Sequence, residues 1–327
     1  MYNLTCLLGR PGSSTAITLS TAKRPVHGSG AAVQLAYKFY KVVPLDDTST
    51  SHGINKQQLL QDSLPLLIAH GLFGQMQNWN SLAKALQRKI PNPVVTVDLR
   101  NHGKSPHTST ITYAEMAMDL ELLLTKFSSE YRIPLSAIVL GHSLGGRAAM
   151  RLAVEKPSMV SKLIVEDVAP KPYVGSSESL VSKYIDAMLK LSFPAGISIA
   201  DARKYANEIL TPDIEDVSVR QFLLQNLQQS DDNNSERAVE FKFNLQTLKD
   251  APRLLSAMKP IAEDAVYAGP TLFVCGENSP YVRKEDYDMI LKHFPNAQIE
   301  TIPNCGHWIH AEKPSEFMDV IVPFILQ

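Results

Sequence analysis

From Leu64 onward, short apolar runs alternate with amphipathic segments, and turns of small residues separate them. The runs 64–69, 93–97, 136–140, 160–166, 270–275 and 297–302 have the length of strands. Their near-continuous hydrophobicity suits strands covered on both faces. Segments 79–89, 113–127, 145–155 and 281–293 read as helices between them. This alternation predicts an α/β protein with a mostly parallel central sheet flanked by helices. Val33, Leu35, Tyr37 and Phe39 alternate with polar neighbours and predict an earlier strand within 33–43, whereas the polar stretch 46–63 reads as a loop.

The alternation breaks between Lys171 and about Asp250. There Leu180, Val181, Tyr184, Ile185, Met188 and Leu189 recur at helical spacing, and two further amphipathic segments follow around Tyr205 and Phe222. The pattern predicts a core of 33–170 and 251–327 with a helical insertion, 171–250, placed to act as a lid. Phe222 and Met188, with Phe73 from the core, are the expected substrate-binding side chains, and Phe193 is a further apolar residue of the lid.

Composition narrows the classes. With 44% hydrophobic and 20% charged residues among 327, the chain can bury a large core. Its 32 basic and 33 acidic side chains leave a net charge of −1, which argues against an electrostatic nucleic-acid binder. No apolar run approaches the roughly 18 residues of a membrane span, so no transmembrane segment is expected. Cys6, Cys275 and Cys305 fit neither a disulfide framework nor a zinc knuckle, which favours a reducing compartment. The first 45 residues carry Arg10, Lys23, Arg24, Lys38 and Lys41 but no acid before Asp46. A basic, acid-free, Ser/Thr-rich leader predicts a mitochondrial transit peptide over 1–32 and a matrix location; a plain tail is the alternative.

The chemistry concentrates in Gly141-His142-Ser143-Leu144-Gly145-Gly146, a G-x-S-x-G between an apolar strand and an alanine-rich helix. That is the context of a nucleophile elbow, where flanking glycines let a Ser sit in a strained turn with its Oγ exposed. A serine hydroxyl needs a base downstream, and of nine histidines His307 fits, on the loop Asn304-Cys305-Gly306-His307-Trp308 after the last predicted strand. His310 is expected on the surface or on a helix face, His142 points elsewhere from the turn, and His70 and His102 lie in other loops. A His307/His310 metal pair lacks carboxylate or cysteine partners, so neither a metal nor a cofactor is expected.

The acid of the triad often follows the strand equivalent to 270–275, but Ser279 stands there. The neighbouring strand ends in Glu166-Asp167. With parallel strands about 4.8 Å apart, Asp167 can meet His307, and it is favoured over Glu277, Glu166 and Asp286. The backbone N–H groups of Leu144 and Leu72 are the expected oxyanion hole, Phe73 being the second choice to Leu72. Arg100 reads as a structural tie between loops.

Taken together, Gly141 to Gly146, His70-Gly71-Leu72-Phe73-Gly74, Asp98 to Ser105 and Gly306-His307 resemble the α/β-hydrolases from about residue 33 to the end. The closer resemblance is to the family of the mitochondrial α/β-hydrolase domain-containing protein 11 and its bacterial esterase relatives. It is carried by Asn78, Asp167-Val168-Ala169-Pro170, Arg220-Gln221-Phe222-Leu223-Leu224, Asn278-Ser279-Pro280-Tyr281-Val282 and Gly306-His307-Trp308. The resemblance implies the α/β-hydrolase fold with a helical cap after the sixth strand, and an acid on the earlier strand, which supports Asp167. It further implies hydrolysis of carboxylic esters, diacylglycerol among them, and a matrix role protecting lipoylation of the 2-oxoglutarate dehydrogenase complex.

The expected function is therefore a serine hydrolase of acyl esters working through an acyl enzyme on Ser143. Two alternatives share the residues: an acyltransferase or thioesterase that hands the acyl group to another acceptor, and a mainly protein-binding mitochondrial factor. Epoxide hydrolases and dehalogenases are excluded because their nucleophile is a carboxylate.

Overall fold

A computed structural model describes residues 17–19, 30–40, 64–131, 133–172, 176–230, 239–257 and 259–327. Its strands are β1 Ile17–Leu19, β2 Tyr37–Tyr40, β3 Leu66–Ala69, β4 Val94–Val97, β5 Ala137–His142, β6 Val160–Glu166, β7 Leu227–Gln229, β8 Val239–Phe241, β9 Thr271–Gly276 and β10 Ala297–Ile302. Eight of them form one sheet in the order β1-β2-β4-β3-β5-β6-β9-β10. All neighbours are parallel except at β1/β2 and β2/β4. The strand order reverses between β3 and β5, and a crevice opens beyond the carboxyl ends of strands at such a point.

Alternate residues of each central strand enter opposite layers, as a period of two requires. Leu67, Ala69, Val139 and Val165 join one core with the helices α1 Tyr113–Tyr131 and α2 Leu144–Glu155. Leu66, Ile68, Leu140 and Ile164 join the other, beneath Trp79, Leu86, Phe317 and Phe324. The predicted two-sided burial holds for β3, β4 and β5, every residue of which is buried. It fails at β10, an edge strand that exposes Gln298, Glu300 and Thr301.

Three further readings shift. The helix expected over 281–293 begins only at Tyr287, because the Asp286 carboxylate accepts the Arg283 N–H at 2.9 Å and pairs with Lys171 Nζ at 2.6 Å, fixing a turn ahead of it. A helix over Pro314–Leu326, hidden in a nearly continuous apolar run, closes the second core. The chain between β6 and β9 is not purely helical: Ser176–Leu189, Ile199–Leu210 and Val217–Leu224 are followed by an antiparallel β7–β8 pair and the helix Leu245–Ala257. Strands of three residues are too short for periodicity to reveal.

Of the first predicted strand, Tyr37–Tyr40 is paired, and residues 41–43 lie outside the described residues, as does the loop 46–63. Of the stretch read as a leader, Ile17–Leu19 pairs with Tyr37–Phe39, and the remainder up to residue 29 lies outside the described residues. Among the described residues no helix is long and apolar enough to cross a membrane.

Arg100 is the tie that the sequence suggests. It is fully buried; its Nε and Nη2 bind Asp119 Oδ2 and Oδ1 at 2.7 and 2.8 Å, Nη1 lies 3.1 Å from Glu115 Oε1, and Nη2 also reaches the Ala31 carbonyl at 3.0 Å. The loop after β4, the helix Tyr113–Tyr131 and the N-terminal segment are thereby joined. Removing one partner strands a buried charge at a cost of about 3–5 kcal/mol. Arg100→Ala should lower the unfolding free energy in urea by that amount, and a loss below about 1 kcal/mol would show the pair to be dispensable.

Candidate active site

Ser143 lies between β5 and the helix that opens at Leu144, with φ 51° and ψ −112°. A side chain held at such angles costs of order 1–3 kcal/mol and persists only when its surroundings enforce it. Here the Ser143 N–H is held by the Glu166 carbonyl at 3.0 Å, and its own carbonyl accepts the Arg147 N–H at 3.1 Å. The helix enters so close to the sheet that a Cβ on Gly141 would meet the Gly145 carbonyl oxygen at 2.4 Å, and one on Gly145 would meet the Ala69 and His70 carbonyls at 2.6 Å. These are the glycines of the G-x-S-x-G and their physical reason.

Asp167 follows β6, also at positive φ (51°), with its N–H on the Val274 carbonyl at 2.9 Å. Its carboxylate has no exposed surface. Oδ1 accepts the Gly276 N–H at 3.0 Å, and Oδ2 accepts both the Ser279 hydroxyl and His307 Nδ1, the latter at 2.6 Å. A histidine that gives Nδ1–H to a carboxylate keeps Nε2 as its base. The rival acids all have other partners: Glu277 holds the Asn304 N–H, Asp286 holds Lys171, and Glu166 holds His310. Ser279, noted in the sequence only as a missing acid, is a donor to Asp167.

Ser143 and His307 line one cavity of about 310 Å³ with Leu72, Phe73, Val181, Tyr184, Phe222 and Trp308. Met188, expected here, is not in its wall; one turn beyond Tyr184 on the same helix, it is 1% exposed within the core. The rings of Phe222 and Trp308, 5.6 Å apart, belong to both this cavity and a polar cleft of about 710 Å³ that Gln77, Asn78, Gln221, Gln225, His310 and Glu312 also line.

The loop after β3 is fixed by two histidines. His70 Nδ1–H donates to the Gly71 carbonyl at 2.7 Å while its Nε2 accepts the Leu99 N–H at 3.0 Å. His102 Nδ1–H donates to the Arg100 carbonyl at 2.9 Å, and its Nε2 accepts the Phe73 N–H at 3.2 Å. A ring that accepts at Nε2 is neutral, and burial pushes the pKa down to about 3 for His70 and about 4 for His102. Phe73, the second choice for the oxyanion hole, is corrected by this bond: its N–H is engaged. Leu72, in the cavity wall, and Leu144, at the first position of the helix after Ser143, remain the candidate donors. Beside this loop Asp98 accepts the N–H groups of Met76 and Lys104 at 2.6 and 2.8 Å, and burial lifts its pKa to about 6.

His310 and His142 depart from expectation. His310 sits on the short helix Ile309–Glu312, but its side chain is only 8% exposed. Its N–H and Nδ1 meet Glu166 Oε1 at 2.9 and 2.8 Å, and its ring stacks on Trp79 with centroids 4.1 Å apart. His142 donates from Nε2 to the backbone carbonyl of His307 at 3.0 Å. The only local hint was that Glu166 directly precedes Asp167 while His310 follows His307 by three residues.

Comparison with known proteins agrees with this architecture. The family described as alpha/beta hydrolase fold matches residues 65–314. The sn-1-specific diacylglycerol lipase ABHD11 of Mus musculus is 39% identical over 265 residues, 80% of this chain and 81% of the relative. A probable alcohol acetyltransferase of Saccharomyces cerevisiae is 33% identical over 298 residues, 87% of this chain and 84% of that protein. Among solved structures, a marine microorganism esterase superposes with a TM-score of 0.73 at 31% identity, covering 90% of this chain and all of that one.

The neutral histidines set a pH dependence of stability. In the unfolded chain His70 and His102 protonate near 6.5, but in the folded protein only near 3 and 4. The unfolded state therefore binds more protons as pH falls below about 7, and stability drops down to about pH 4 through His102 and about pH 3 through His70. Asp98 acts oppositely between about 4 and 6, because its folded carboxyl takes up a proton first, and offsets part of the loss. Urea unfolding should show wild type losing stability from pH 7 to 4.5, and His102→Gln losing about 2 kcal/mol less over that range. Equal slopes would remove His102 as a source.

Proposed function

The chain belongs to the α/β-hydrolase family and is a carboxylic ester hydrolase, and we propose that Ser143, His307 and Asp167 perform the cleavage through an acyl enzyme. The observation that carries this reading is the 2.6 Å bond from His307 Nδ1 to the buried Asp167 carboxylate, in a cavity that Ser143 enters from its elbow. His307 Nε2 takes the Ser143 proton as Oγ adds to the ester carbonyl, and the N–H groups of Leu72 and Leu144 receive the developing oxyanion. Collapse expels the alcohol, which leaves with the proton from His307. Water then adds to the acyl enzyme by the same route and releases the acid. Asp167 holds the imidazole in the tautomer that presents Nε2 and stabilises it when charged.

The substrate reading is an acylglycerol. The apolar cavity suits a medium or long acyl chain, and the polar cleft beyond Phe222 and Trp308 suits a hydroxyl-bearing alcohol. The mouse relative, named as a diacylglycerol lipase, supports this. A second reading, transfer of the acyl group to an alcohol, is favoured by the name of the yeast relative. Location in the mitochondrial matrix is supported by the acid-free leader. The 2-oxoglutarate dehydrogenase complex as partner, with protection of its lipoylation, rests on family resemblance.

A fluorophosphonate probe should label wild type and leave Ser143→Ala unlabelled. Asp167→Asn should lower kcat for a diacylglycerol by about 10⁴-fold, since it removes the acceptor that fixes the imidazole. Full activity in Asp167→Asn would move the acid to another carboxylate. Product analysis with ethanol present separates the two readings: free fatty acid marks hydrolysis, and the ethyl ester marks transfer.

A further inference from the structure

We propose that His142, Glu166 and His310 form a binding site for a divalent transition cation of the zinc type, and that its occupation slows ester hydrolysis. One ligating atom from each of the three lies within 4.8 Å of the others, and all three side chains are buried or nearly so. Two imidazole nitrogens and one carboxylate oxygen form a donor set that suits zinc or cobalt rather than magnesium or calcium. The pair that the sequence dismissed for want of a carboxylate finds one here, 144 residues away, with His142 in place of His307.

Geometry and charge both favour a cation. Glu166 Oε1 and Oε2 lie 2.8 and 3.0 Å from His310 Nδ1. Two ligands of one tetrahedral zinc, each at 2.0–2.1 Å, stand about 3.3 Å apart, so this pair has nearly the required spacing and only His142 must approach. The stack on Trp79 fixes the plane of the His310 ring. Glu166 and Asp167 are adjacent carboxylates with no exposed surface, and among the described residues neither is ion-paired with lysine or arginine. Two buried carboxylates whose ion-pairing partners among the described residues are imidazoles leave negative charge that a dication would neutralise. The polar cleft that His310 lines gives the ion a route from solvent.

Occupation reaches the base through His142. A Cβ on Gly71 would lie 2.6 Å from His142 Nδ1, so that nitrogen faces the loop backbone, and Nε2 is the one available to ligate. Nε2 now holds the His307 carbonyl at 3.0 Å, a bond that ligation breaks. Each ligating imidazole must be neutral with its lone pair on the metal; the proton now on that nitrogen moves to the other ring nitrogen or to solvent.

Binding and inhibition are read separately, because the inhibition rests on the esterase reading and the binding does not. Co²⁺ titrated into metal-free Ser143→Ala protein should give the visible absorption band of a four-coordinate site, at one equivalent per chain. His310→Gln and Glu166→Gln, each added to Ser143→Ala, should lose the band. With an intact Ser143, Zn²⁺ should lower kcat at least tenfold and EDTA should restore it, while His310→Gln and Glu166→Gln, each normalised to its own metal-free rate, should be insensitive at the same Zn²⁺ concentration. No band in Ser143→Ala, or a band undiminished in both double variants, overturns the site. A band without inhibition by Zn²⁺ in a protein that hydrolyses esters overturns the link to His307.

Discussion

The carboxylate of Asp167 is buried without any exposed surface, and the arrangement of the site follows from how that charge is satisfied. An ionised carboxylate out of water must be hydrogen-bonded on both oxygens or it destabilises the fold. Its donors come from three stretches of chain: the end of β9 at Gly276, the turn at Ser279 and the C-terminal loop at His307. They lie 109, 112 and 140 residues downstream, so the requirement closes the strand ends of β6 and β9 and the last loop on one another. Orientation of the imidazole is a by-product of satisfying the acid. The chain between β6 and β9 supplies none of these donors, which frees it to shape the cavity alone.

A second constraint comes from the close approach of the helix Leu144–Glu155 to β3. Backbone there touches backbone, which excludes any Cβ at Gly141 and Gly145 and forces the turn that carries Ser143. Across the same crevice, neutral His70 and His102 each accept one backbone N–H and give Nδ1–H to a carbonyl. Each ring thus fixes two stretches of main chain with no charge to bury. The loop of Leu72 is held rigid by side chains beneath it, leaving its upper face to the cavity. A backbone donor held in this way needs no reorganisation when charge develops beside it, as the proposed oxyanion role of Leu72 requires.

Much of this was legible because it is local. Four apolar residues in a row announce a central strand such as β3, a glycine-flanked Ser between strand and helix announces a strained turn, and an Asp at a strand end lies within reach of the next loop. What was not legible depends on partners distant in the chain or on position in the sheet. The run at 297–302 reads like its neighbours, but it lies at the edge, and no local pattern says so. Met188 shares its helical periodicity with Val181 and Tyr184, and periodicity tells that a face is covered, not whether by cavity or by core. Ser279 marked an absence in the sequence and became informative only once Asp167 stood beside it. The pairing of His310 with Glu166 joins positions 144 residues apart and overrode the expectation of a surface residue.

That pairing also shows how one strand end serves two layers. Successive residues of a strand point to opposite faces. Ile164 packs into the core beneath Trp79 and Phe317, and Val165 into the core of the helix Leu144–Glu155. Glu166 continues the first face, where His310 stacks on Trp79. Asp167 turns to the other side, where His307 meets it above the cavity. A loop with two histidines three residues apart thus straddles the strand end, each ring held by its own carboxylate. His142 spans the two sides, for it belongs to the adjacent strand, grips the His307 carbonyl and lies edge-on to His310 with centroids 5.0 Å apart. Rings and carboxylates packed this closely cannot move singly, since each shift leaves a buried polar group unpaired. The position of the His307 ring is therefore coupled to the charge on the Glu166 side of the sheet.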